Sequence, residues 1–148
     1  MSDFRRLFEY HIWANERTAL SLEGQTGRAV ELFAHMGAAG IIWHGRLTAD
    51  AGGGDVVPVW PDWSLEESVV RVNESTRLLL EFCTDPALDL ERTVAYANSR
   101  GDAFQNSVRE ILDHVHLHYH YHRGQIATRV GQAGGNQAAT DYIFFLRE

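Results

Sequence analysis

The chain has 148 residues, with 13 Lys and Arg against 20 Asp and Glu, and a formal net charge of -7 with its eight histidines neutral. This length reads as one domain over residues 1–148, and 45% hydrophobic with 22% charged residues is enough to build a core, which excludes wholesale disorder. The single cysteine, Cys83, excludes an internal disulfide and fits a reducing cytoplasm; the acidic balance with scattered arginines argues against nucleic acid, and no run approaches the roughly 18 apolar residues of a membrane span.

Residues 3–22 place Phe4, Leu7, Phe8, Ile12, Ala19 and Leu20 at helical spacing, with Gly24 and Gly27 as stop signals. A second helix is predicted over 30–49, apolar on nearly every side and so central. The stretch 51–63 holds Gly52-Gly53-Gly54, Pro58 and Pro61 and reads as a long loop whose Trp60 and Trp63 cover an edge. Ser64 with Glu67 forms a capping-box pattern that begins a third helix, ended near Cys83 by Asp85-Pro86. Thr93-Val94-Ala95-Tyr96 before the turn residues 98–102 predicts a short hairpin. Ser107 with Glu110 opens a fourth helix that runs to about Ala133 and stops at Gly134-Gly135. The tail 140–147 is expected to form one or two helical turns whose Tyr142, Ile143, Phe144, Phe145 and Leu146 need an apolar surface. Four substantial helices with one long crossover loop predict an all-α four-helix bundle with a small hairpin or irregular insertion before the last long helix.

Five of the eight histidines lie in residues 114–122, at alternate positions. On a wheel of about 100° per residue from Val108, Ile111, Leu112, Val115, Tyr119, Ile126 and Val130 form one stripe between about 300° and 40°. His118 and His122, at about 280° and 320°, border or enter that stripe, while His114 lies at about 240°. His116 and His120, at about 80° and 120°, point away and read as solvated or interface residues. Two imidazoles one turn apart can present nitrogens to one ion, and neutral imidazole suits Zn, Ni, Cu and Fe. Buried without an ion or acceptors they would leave unsatisfied nitrogens at roughly 1 to 3 kcal/mol each. A third ligand is needed from another helix. His35 and His44 are both candidates, but they lie about 180° apart around their helix and cannot serve together; the apolar pattern does not choose between them. His11 is a further candidate, read more readily as a packing or surface residue. Glu110 and Asp113, at about 200° and 140°, face away from the histidine pair, which leaves a metal-dependent hydrolase without a placed general base.

The residues Phe8 to Arg17, His35 with Trp43 and Arg46-Leu47, His118 with His122-Arg123-Gly124-Gln125, and the ending Tyr142 to Glu148 together resemble the DinB family, the damage-inducible, YfiT-like metal-binding family rather than the DNA polymerase of the same name. The resemblance implies an up-down-down-up bundle, commonly dimeric, with a divalent metal, Zn or Ni, on His35, His118 and His122. His44 stands where the family has an aliphatic residue. Gly40, Leu117 and Tyr121 depart from the family pattern, where an acidic residue, Asn and His are common.

Relatives with assigned activities resemble thiol-dependent transferases and isomerases that use low-molecular-weight thiols such as bacillithiol or mycothiol. The resemblance thus implies a thiol S-transferase acting on an electrophilic small molecule; Arg123 is a candidate for binding a carboxylate of the thiol, though it reads more readily as a solvated or ion-paired arginine. The alternatives are a non-enzymatic metal-binding stress or sensor protein and a metal-dependent hydrolase. Cys83 is expected to be a packing residue and not a nucleophile.

Overall fold

The computed structural model describes residues 3–49 and 57–148, so part of the predicted loop 51–63 lies outside the described residues. Among the described residues the chain is mostly helical: α1 (Phe4–Ser21), α2 (Arg28–Thr48), α3 (Leu65–Thr84), α4 (Val108–Gln132) and α5 (Tyr142–Phe145), with strands β1 (Thr93–Ala97) and β2 (Ala103–Ser107) between α3 and α4.

The helix ends follow the local signals. Asp3 caps α1 by accepting from the Arg6 N–H at 3.3 Å, and Gly24 and Gly27 beyond it take positive φ. Ser64 accepts from the Glu67 N–H at 3.1 Å at the start of α3. At α4 both halves of the capping box form: Ser107 Oγ accepts from the Glu110 N–H, and Glu110 Oε2 accepts from the Ser107 N–H. The end of α4 is a Schellman motif, with the Gly135 N–H donating to the Val130 carbonyl and Gly134 to that of Gly131.

β1 and β2 pair antiparallel from Thr93↔Ser107 to Ala97↔Ala103, around a turn in which Asn98 Oδ1 accepts from the N–H groups of Arg100 and Asp102. The hairpin delivers the chain into α4, since Ser107 is both its last strand residue and the N-cap.

Helix α2 packs on α3 and α4, and α1 packs on the same two helices. The residue pairs at these seams are specific. Gly37 and Gly40 of α2 meet Val72 and Ser75 of α3. Trp43 and His35 of α2 meet His114 and His118 of α4. His11 and Asn15 of α1 meet His116 and Arg123 of α4, while Asn15 also donates to Thr76 of α3 at 3.3 Å. The predicted stripe on α4 is buried along its whole length, packed with Phe8, Phe33, Met36 and Leu79 into one core. At Gly40 the helices come so close that a Cβ would run into Tyr119 Oη and Ser75.

The tail covers its own chain. Tyr142 and Phe145 lie against Tyr10, with ring centroids 5.1 and 5.8 Å away, and Tyr10 Oη donates to the Thr140 carbonyl at 2.7 Å. Glu148 accepts from Trp13 Nε1 and Arg17, while Ile143, Phe144 and Leu146 remain exposed. Part of the tail's apolar surface is thus covered within the chain.

Candidate metal centre

Three imidazoles meet where α2 faces the middle of α4. His118 Nε2 lies 3.1 Å from His35 Nε2 and 2.9 Å from His122 Nε2, and a ligand atom from each of the three falls within 4.8 Å of the others. The i, i+4 spacing on α4 puts His118 and His122 one above the other, and the tight packing of α2 on α4 brings His35 to them.

The outer nitrogens fix which atoms face inward. His35 Nδ1 lies 2.7 Å from the Val59 carbonyl, which only accepts, so Nδ1 carries the hydrogen and Nε2 presents its lone pair. His122 Nδ1 likewise donates to Gln125 Oε1 at 2.7 Å. His118 Nδ1 is buried and has no hydrogen-bond partner among the described residues. Trp60 covers the group, stacked on His35 with centroids 3.9 Å apart and planes 9° from parallel.

All three side chains are held neutral. Burial, then the neighbouring His122 and His35, push His118 down to about 3. Burial likewise lowers His35 and His122, with the Arg28 charge adding to the effect at both. Inward-facing neutral imidazoles, two of them with hydrogen-bonded outer nitrogens, form a donor set that a divalent transition metal can take.

The other histidines are elsewhere. His44 is lowered by burial and feels Glu81 of α3; the group of three that could hold an ion contains His35 and not His44. His114 stacks on His118 at 5.4 Å, and its ring meets Trp43. His120 is exposed.

Of the two readings given for His116, solvated or interface residue, the solvated one does not hold: it is half-buried, and its Nδ1 lies 2.8 Å from His11 Nε2. Arg123 is also not where the resemblance implied. It is 3% exposed, and Nη1 donates to His11 Nδ1 and Asn15 Oδ1, both at 3.0 Å. A guanidinium can only donate, so His11 Nδ1 accepts and its Nε2–H donates to His116. Arg123 is thus buried between α1 and α4 and joins them through His11 and Asn15.

The sequence reading missed Val59, Trp60 and Gln125 as partners of the histidines. Gln125, one turn beyond His122 on the same face, carried a usable signal. So did Arg123, at about 60° on the α4 wheel and therefore beside the buried stripe.

The family model described as the DinB family matches residues 21–148. The chain belongs to the DinB family. That match contains His35, His118 and His122 and starts at the last residue of α1, so the Phe8 to Arg17 segment lies before it. Neither a curated protein nor a solved structure matches the chain.

Proposed function

We propose that this DinB-family chain holds one divalent metal ion, Zn or Ni, on His35, His118 and His122, and acts as a thiol S-transferase joining a low-molecular-weight thiol to an electrophilic small molecule. The observation that carries the metal is the convergence of three Nε2 atoms, two of which cannot bear a hydrogen because Val59 and Gln125 take it on the other side of the ring. A bound divalent ion with an open position would lower the pKa of a thiol or water there, so that a nucleophile is available at neutral pH.

The chain's own residues orient and enclose. Val59 and Gln125 hold two rings in the required tautomer, and Trp60 shields one side of the group from water. Among the described residues, Glu110 is occupied at the α4 cap by Ser107 and Asn106 and is not free to act as a general base. That favours a nucleophile supplied by a cosubstrate over hydrolysis. Cys83 is raised to about 12, chiefly by burial, and does not compete as a nucleophile.

The residue pairs along the seams support an up-down-down-up four-helix bundle over 1–148: α2 and α3 advance together through 37/72 and 40/75, α1 and α4 through 11/116 and 15/123, and α2 against α4 through 35/118 and 43/114. A cytoplasmic homodimer completes the reading, supported by the lone cysteine and by exposed Leu20 and Val70, which flank a groove between α1 and α3. No described helix is long and apolar enough to cross a membrane.

The test is an adduct assay with reconstituted protein, a low-molecular-weight thiol and an electrophilic fluorophore. Adduct formation should require both metal and thiol and should survive Cys83→Ser. Turnover unaffected by chelation would overturn the mechanism.

A further inference from the structure

A polar cleft of about 360 Å³ opens beside the histidines, between the start of α2 and the last turns of α4, lined by Arg28, Leu32, Gln125, Thr128, Arg129 and Gln132. Its chemistry is one-sided: two guanidiniums, two side-chain amides and a hydroxyl, with no carboxylate in the lining. Two contacts join it to the metal centre. Gln125 accepts the His122 Nδ1 hydrogen, and the Arg28 guanidinium lies 4.2 Å over the Trp60 ring, which itself stacks on His35.

The charge balance of this corner is unusual. Arg28 has Glu31 at 3.2 Å, in an exposed pair of small energetic weight. Arg129, on the exposed side of α4, has no ion pair among the described residues. Two guanidiniums beside three imidazoles that would hold a divalent cation repel one another, and an anion between them relieves the repulsion. A carboxylate, like a phosphate, matches the planar fork of arginine in bidentate geometry, and the amides of Gln125 and Gln132 add neutral donors. The cleft is large enough for such a group with a short chain attached, and its lining is mostly polar.

We propose that this cleft seats a carboxylate of the small molecule whose other end meets His35, His118 and His122, with Arg28 and Arg129 as the specificity-determining residues. The substrate class is then an anionic thiol, its sulfur and carboxylate separated by a short chain. The inference rests on the metal-centre and thiol-transfer reading proposed above, and it moves the anion-binding role from the buried Arg123 to two arginines that line open space.

The test uses the full chain reconstituted with Co(II), whose sulfur-to-metal absorption band reports a thiol reaching the ion. It is titrated with mercaptocarboxylates of increasing length, from mercaptoacetate upward, and with mercaptoalcohols of matched length. At least one acid should bind about tenfold or more tightly than its matched alcohol, in keeping with charge-assisted hydrogen bonds. Arg28→Gln and Arg129→Gln should each remove most of that advantage, while cobalt stoichiometry and alcohol affinity stay unchanged; Arg129→Lys should keep part of it. Equal affinity for acid and alcohol at every length, or an acid advantage that persists in the Arg28→Gln/Arg129→Gln double variant, overturns the proposal and leaves the metal centre standing. Failure to take up cobalt overturns the metal-centre reading instead. The cleft is then read in metal-free protein by the NMR signals of the arginine Nε–H groups during titration with glutarate: saturable shifts at Arg28 and Arg129, absent from the double variant, support the anion site, and no shift overturns it.

Discussion

His122 Nε2 lies 2.9 Å from His118 Nε2, one helical turn earlier, with its only hydrogen already given to Gln125 on the far side of the ring. His118 faces the same situation at His35, 3.1 Å away, whose hydrogen goes to Val59. One imidazole hydrogen on His118 cannot serve both contacts well, and its Nδ1 has no partner among the described residues. Protonating the cluster does not resolve this, because burial holds the rings neutral. A cation at the meeting point satisfies three lone pairs at once, and that is the physical reason to read the group as a metal centre rather than as a packed histidine cluster.

Packing around Gly40 should be unforgiving. A methyl there meets Tyr119 Oη and Ser75 between three buried helices, so Gly40→Ala should lower stability by roughly 1 to 3 kcal/mol. Gly45, in the same helix with open space around its Cβ position, supplies the contrast: Gly45→Ala should raise stability by roughly 0.5 to 1 kcal/mol. Urea unfolding of both variants checks this, and equal midpoints for the two would contradict it.

Acid should destabilise the metal-free protein. Burial lowers His118 to about 3 and also lowers His35, His122 and His11. An unfolded imidazole binds its proton at about pH 6.5, so below that value the unfolded chain holds more protons than the native one. Stability is full above about pH 6.5 and is lost as pH falls from there toward the folded pKa values. Thermal melts in chelator should give a midpoint that is level at neutral and mildly alkaline pH and drops below about pH 6.5, less steeply for His118→Asn. A midpoint that rises on acidification would contradict the burial of neutral rings.

Cys83 should behave as core filling. With its thiol raised to about 12 by burial and by Asp3, it is protonated at neutral pH. Iodoacetamide should label it at least about tenfold more slowly in the native than in the unfolded protein, and Cys83→Ser should leave metal content unchanged. Rapid native labelling would reopen a role for the protein's own sulfur.

The helices were legible wherever a local signal carried them. Ser107 with Glu110 and the Gly134-Gly135 pair mark both ends of α4 in the sequence, and Asn98 to Asp102 mark the hairpin turn, because caps and turns depend on neighbouring residues alone. His118 with His122 was legible for the same reason. Choosing His35 over His44 was not, since α2 is buried on most sides and its periodicity carries no direction; only its neighbours decide, α4 on one side and Glu81 of α3 on the other. The bond between His116 and His11 and the capture of Arg123 by Asn15 were hidden likewise, because a single-helix wheel contains no partner helix.

Metal content bears most directly on the three-histidine centre. Untagged protein, stripped with chelator, reconstituted and dialysed, should retain about one zinc or nickel ion per chain by elemental analysis, and His44→Ala should match it. His35→Ala, His118→Ala and His122→Ala should each lose the ion on dialysis, since removing one of three ligands costs far more affinity than altering an outer partner. An unaltered chain that retains no ion, or a His35→Ala variant that keeps it while His44→Ala loses it, would contradict the assignment.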